Sequence, residues 1–176
     1  MSTTSAMTGT MTGTSRPSPT SAPALLPGFV ASPTLGADLQ LVLSDLIELH
    51  LQGKQAHWNI VGSNFRDLHL LLDEIVDYAR EASDTIAERM RALRATPDGR
   101  SETVTALTGL PGLPAGEIHT SEAVHLIAQR LIAVATRARA LHDEVDSEDP
   151  TSADLLHTVI ESAEKFAWLV AAEYGR

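Results

Sequence analysis

A chain of 176 residues suits one domain, long enough to bury a core without disulfides or a structural metal. Its formal charge of -10, from 23 acidic against 13 basic residues, argues against a surface built on phosphate contacts. Cysteine is absent, which excludes thiolate metal sites and leaves any metal to histidine and carboxylate, donors suited to harder ions such as iron or manganese. Abundant Leu and Ala, aromatics at only 4 %, and long stretches between the Pro- and Gly-containing segments point to an all-α chain. No apolar run reaches the roughly 20 residues that span a bilayer. The first residues lack the basic-then-apolar layout of a secretion signal, so a cytoplasmic protein is the expectation.

Residues 1–33 are rich in Ser, Thr, Pro, Gly and Ala and carry one charge, Arg16. They read as a tail: either a plain extension or an arm that docks on a neighbour through Leu25, Leu26, Phe29 and Val30. The domain proper is expected over 34–174. A first helix is predicted over 34–61, where Leu39, Val42, Leu46, Leu49, Gly53 and Ala56 recur every three or four residues. Gly62 then offers a C-cap and Ser63-Asn64 an N-cap. A second helix follows to about residue 95 on the stripe Leu68, Leu72, Ile75, Ala79, Ala82 and Ile86, and so short a connection makes the pair an antiparallel hairpin.

Residues 96–119, with Pro111, Pro114 and several glycines, read as a long crossover that holds a short helix near 101–108. A third helix is predicted from Thr120 or Ser121 to about Asp146, with Val124, Ile127, Leu131, Val134, Ala138, Leu141 and Val145 on its stripe. Asp149-Pro150 supplies an N-cap and an N1 proline for a fourth, whose stripe is Leu155, Val159, Ala163, Phe166 and Val170. Four long helices with one long crossover imply a ferritin-like four-helix bundle.

The histidines give this bundle a chemistry. His57 lies six residues before Ser63 and His69 six after it, so a hairpin turning there brings the two imidazoles to one height. Asp73, one turn beyond His69, adds a carboxylate to the pair. Asp84 and Glu88 form a second i, i+4 pair on the same broad face of the second helix. At 1.5 Å per residue, however, Asp73 and Asp84 are about 16 Å apart, too far for one ion. The pairs 73 with 84 and 69 with 88 share a midpoint between Tyr78 and Ala79, as a two-fold axis there would require. Two antiparallel copies would then set His69 and Asp73 of one subunit opposite Glu88 and Asp84 of the other, giving two identical shared sites per dimer.

Each piece has a blander reading when taken alone. A lone histidine on a helix is more often hydrogen-bonded or solvated than a ligand, and Asp84 and Glu88 could simply pair with Arg80, Arg89 or Arg91. His50, His119, His125, His142 and His157 show no comparable geometry and are assigned no site. A self-contained dimetal oxygenase or catalase would need Glu-x-x-His repeats on facing helices, and Glu161 and Glu164 have no histidine at i+3. The last two helices are therefore expected to offer no ligands.

The segment Lys54-Gln55-Ala56-His57-Trp58-Asn59, followed by Gly62, Phe65, His69, Asp73-Glu74, Asp84 and Ala87-Glu88-Arg89, resembles the Dps mini-ferritins, DNA-protecting proteins from starved cells. The resemblance covers about residues 34–174. It implies a hollow dodecameric cage and a ferroxidase centre in which His57, His69 and Asp73 of one subunit meet Asp84 and Glu88 of its two-fold mate. Such a centre takes two ferrous ions and oxidises them with hydrogen peroxide or oxygen, and the ferric product is stored as mineral, protecting against oxidative stress. Trp58 would stand where the family places an oxidisable aromatic, or else pack in the core. The resemblance further implies an acidic three-fold pore at the junction of the last two helices, with Asp146, Asp149 and Asp154 as its candidates. The alternative is a DNA-compacting, nucleoid-associated protein, and a tail with one charge speaks against it.

Overall fold

The computed structural model describes Met1 and residues 28–174. Most of the tail, including Leu25 and Leu26, lies outside them; Phe29 and Val30 are exposed. Helix α1 (Pro33–Asn59) starts where Ser32 Oγ accepts from Leu35 N at 3.0 Å, with Pro33 in the first turn where no amide is needed. The same serine donates from N and Oγ to the Glu148 carboxylate at 2.7 and 2.6 Å, tying the start of α1 to the far end of the chain's third long helix.

The first turn differs from the sequence expectation. α1 ends at Asn59, two residues early, because Ile60 and Val61 leave it as a short strand, β1 (Ile60–Val61), paired in parallel with β2 (Ile118–His119). Gly62 is thus no helix cap. It takes φ +121°, a conformation that L side chains rarely adopt, while a Cβ there would sit 3.0 Å from Thr120 Oγ1. Asn64 precedes α2 (Phe65–Ala92) in the left-handed region, φ 54°, and its side chain makes no capping bond.

The short α3 (Ser101–Leu107) lies within the crossover, and α4 (Thr120–Glu148) and α5 (Pro150–Tyr174) form the second hairpin. Asp149 caps α5 as expected, its Oδ2 accepting from Ser152 N at 3.2 Å. α1 packs along α2 and α4 along α5; α1 also lies on α4 and α2 on α5, which closes a four-helix bundle. The expected stripes are largely buried, but α5 turns a slightly different seam inward: Ala153, Leu156, Val159, Ala163, Ala167 and Val170 are buried while Leu155 and Phe166 are only partly so.

Two buried charges pin the crossover to the bundle. Arg130, 1 % exposed, donates to the carbonyls of Pro111 at 2.9 Å, Gly112 at 2.8 Å and Leu126 at 2.7 Å, and to Gln52. Asp45, 1 % exposed, accepts from Gly109 N at 2.7 Å and Thr108 Oγ1 at 2.9 Å and pairs with Arg137 at 3.1 Å. Charges this buried persist only when their hydrogen-bonding capacity is met, and here crossover backbone at Gly109, Pro111 and Gly112 meets part of it, with helix and side-chain partners supplying the rest.

Candidate metal centre

His57 sits in the last turn of α1 and His69 in the second turn of α2, and the tight turn between the helices stacks their rings with centroids 3.7 Å apart at 24°. Each ring uses Nδ1 on the other's backbone: His57 Nδ1 lies 3.1 Å from His69 O, and His69 Nδ1 3.2 Å from His57 O. The His57 carbonyl is one of the four that a helix C-terminus leaves without a partner, so His69 satisfies it at no cost to the fold. Protonation of both Nδ1 atoms by these contacts leaves both Nε2 lone pairs for a metal, the arrangement that backbone carbonyls impose on metal-binding histidines.

Asp73 completes the cluster. One donor atom from each of His57, His69 and Asp73 lies within 4.8 Å of the other two, and among the described residues this is the one group of three such side chains placed closely enough to hold an ion. Asp73 Oδ1 is 3.3 Å from His57 Nδ1 and 2.5 Å from the Lys54 ammonium. The Lys54 hydrogen bond, aided by the charges of His57, Lys54 and His69, holds the Asp73 carboxyl below its ordinary range against a smaller push from burial. His57 is buried at 8 % exposure, and Phe65 stacks on His69 at 5.0 Å, so apolar surface flanks one side of the cluster.

Asp84 and Glu88 stand elsewhere on α2, both exposed, about 16 Å or more along the axis from Asp73. Among the described residues neither has a hydrogen-bond or salt-bridge partner. Two of the three cations the sequence offered them are engaged otherwise: Arg89 grips Asp149 through Nη2 at 2.6 and 2.8 Å and Nε at 3.2 Å, and Arg91 donates to the Ala95 carbonyl at 3.0 Å. Asp84 lines an open groove of about 720 Å³ with His50, Asp77, Arg80, Glu81 and Ala87. Trp58 is 69 % exposed, so it is no part of this chain's core.

Of the three junction carboxylates, Asp146 and Asp154 are exposed, whereas Asp149 is buried and committed to Arg89 and Ser152. One Glu-x-x-His run does occur, Glu122 to His125 in α4, but both side chains are exposed and no other helix carries a matching run. Lys54 and Phe65 belong to the motif that resembles the family, and both stand at the cluster. The hairpin height rule that pairs 57 with 69 also sets 54 within one residue of the height of 73, so the Lys54 contact follows from the same reasoning.

Residues 37–176 match the family model of the ferritin-like domain. The chain is 34 % identical over 134 residues to DNA protection during starvation protein 2 of Deinococcus radiodurans, a match covering 76 % of this chain and 56 % of that protein's length. It is 32 % identical over 148 residues to the DNA protection during starvation protein of Agrobacterium fabrum, covering 84 % of this chain and 91 % of that one. The solved structure of Dps from Microbacterium arborescens in the high iron form superposes with a TM-score of 0.77 at 32 % identity, covering 85 % of this chain and all of that one. The chain belongs to the ferritin-like family and, within it, to the Dps mini-ferritins. Among the described residues no helix is long and apolar enough to cross a membrane.

Proposed function

We propose that this chain is a ferroxidase and iron store whose centre is completed by a second copy of itself. The observation that carries the reading is a half-site of two imidazoles and a carboxylate, with two unpartnered carboxylates on the same helix about 16 and 22 Å from Asp73. Antiparallel pairing of two α2 helices about an axis between Tyr78 and Ala79 would set His57, His69 and Asp73 against Asp84 and Glu88 of the mate. The exposed apolar side chains Leu51 and Trp58, seven apart on α1, with Phe65 and Leu70 on α2, give that mate a surface to cover. By family likeness the dimers assemble further into a cage of twelve.

Two ferrous ions bound as substrate at such a centre would each give up one electron. Hydrogen peroxide takes both: its O–O bond breaks and, with two protons, two waters leave. No single-electron step then releases hydroxyl radical. With oxygen as oxidant the same two electrons and two protons give peroxide. Neutral Nε2 donors bind the ions, while Asp73, Asp84 and Glu88 offset their charge and favour the ferric product. Trp58, exposed one residue from His57, would face the mate near the centre, and the ferric ions pass to mineral inside the shell. Asp146 and Asp154 are the junction carboxylates free to face an acidic entry pore, with Asp149 shaping the turn between them. The name shared by the relatives points to DNA protection; at -10 per chain, removal of iron and peroxide in the cytoplasm fits better than compaction of DNA.

Complementation tests the shared centre. Fe(II) is added anaerobically, then peroxide, and ferric absorbance is followed for Asp84→Ala, for His57→Ala and for their remixed assembly. Each variant alone should be impaired. In a mixed dimer both lesions fall at one site and the other is intact, so random mixing restores about one quarter of the wild-type sites. Absence of recovery despite demonstrated subunit exchange would refute the arrangement.

A further inference from the structure

The α4–α5 hairpin repeats, on a smaller scale, the geometry of the first centre. His142 lies seven residues before Asp149 and His157 seven after Pro150, so the junction brings them to one height. Their ring centroids are 4.2 Å apart at 31°, close to the 3.7 Å and 24° of His57 with His69. Carboxylates stand behind both rings: Asp143 Oδ1 is 3.2 Å from His142 Nδ1, and Asp154 Oδ1 is 3.8 Å from His157 Nδ1. At His142 the hydrogen-bonding distance to Asp143 favours the tautomer that leaves Nε2 as a ligand and raises its basicity, while Asp154 supplies negative charge beside His157.

His142 Nε2 is buried and has no hydrogen-bond partner. A core histidine held for packing would have that nitrogen satisfied, since an orphaned buried acceptor is destabilising. The His157 side chain that stacks on it is 63 % exposed, so a small rotation of this one ring opens the pair to solvent. Asp146, one turn from His142, and Asp154 add negative field at the same place.

We propose that His142 and His157 form a second metal site, independent of the first, for a borderline divalent cation of the Zn²⁺ class. Two imidazoles select such ions over Mg²⁺ or Ca²⁺, which demand oxygen donors. With two protein ligands and water for the rest, the site exchanges its ion readily and suits a holding point for cations near the acidic junction. It does not depend on the ferroxidase reading, since it shares no residue with that centre.

The test uses the assembled, metal-free protein carrying His57→Ala and His69→Ala, which removes the first cluster. Titration with Zn²⁺ in a calorimeter should still register one ion per chain, and X-ray absorption at the zinc edge should show imidazole scattering from two histidines. Adding His157→Ala, an exposed position that does not threaten folding, should weaken binding on the order of 10-fold or more, and Asp143→Asn about 10-fold. His142→Ala should do the same in protein whose assembly is verified by size exclusion. The proposal falls if the double variant binds no Zn²⁺, or binds it equally well with and without His157.

Discussion

Replacing Lys54 by Met should tighten metal binding at the first centre rather than weaken it. The ammonium lies 2.5 Å from Asp73 Oδ1, with the two side chains 33 and 43 % exposed, so an incoming ion competes with a cation for its carboxylate. Breaking a pair this exposed costs about 0.2–1 kcal/mol. The displaced ammonium remains tethered near the ion, and a unit charge about 8 Å from a dication in a water-like dielectric adds about 1 kcal/mol of repulsion. Loss of both terms amounts to about 1–2 kcal/mol, a gain of about 5- to 30-fold in affinity. Anaerobic calorimetry with Fe(II) measures it, with His57→Ala identifying the heat that belongs to this site, and added salt should narrow the difference. The pH dependence has a definite sign. Lys54 is the largest cause of Asp73's lowered pKa, so in Lys54→Met the carboxyl titrates nearer its ordinary range. The gain is then complete at pH 7 and shrinks as acid approaches that range. Unchanged or weaker binding at neutral pH would refute the reasoning and make Lys54 a positioning residue for Asp73.

Asp38 is 9 % exposed with Oδ2 unpartnered, and burial, then Glu144 and Glu148, push its pKa up. An acid whose folded pKa is raised destabilises the fold above that pKa, and the penalty fades as pH falls below it. Asp38→Asn should therefore raise the unfolding midpoint at pH 7 by about 2–4 °C for a gain of about 1 kcal/mol, with less gain in acid; calorimetric melts against pH check this. For DNA, a mobility-shift assay at moderate salt should show no complex, because each chain carries -10 and residues 1–33 hold one cation. A tight complex that salt dissolves would overturn the charge argument.

What could be read in the sequence was whatever followed from spacing. Helical period located α1, α2, α4 and α5 to within a few residues, and the symmetric placement of His57 and His69 about Ser63 anticipated their contact. What escaped depended on partners distant in the chain. Ile60 and Val61 look like the end of a helix until Ile118 and His119 arrive to pair with them, and Gly62 looks like a cap for the same reason. Asp149 reads as an N-cap and as a pore candidate; the cap forms, but Arg89, 60 residues away, also claims the carboxylate. The stripe on α5 was displaced because Leu155 and Leu156 are indistinguishable in sequence, and only packing against α4 selects the second. The spacing rule that pairs His57 with His69 applies unchanged to His142 and His157 about the Asp149-Pro150 turn, and their rings do meet.

On the proposed reading, the distance between the two halves of the centre makes oxidation conditional on assembly. A lone chain presents three donors at one end of α2 and two carboxylates about 16 Å or more away, so it can hold a ferrous ion weakly but cannot place two together. Pairing completes the centre, and linkage requires the converse: ions that bind only the dimer stabilise the dimer, by about 2.7 kcal/mol per site at one hundred times the dissociation constant. Iron oxidation would thus begin where a second subunit, and with it a shell wall, is already in place. The ferric product then forms next to the cavity that stores it, and a dispersed chain has no means of producing it in free solution.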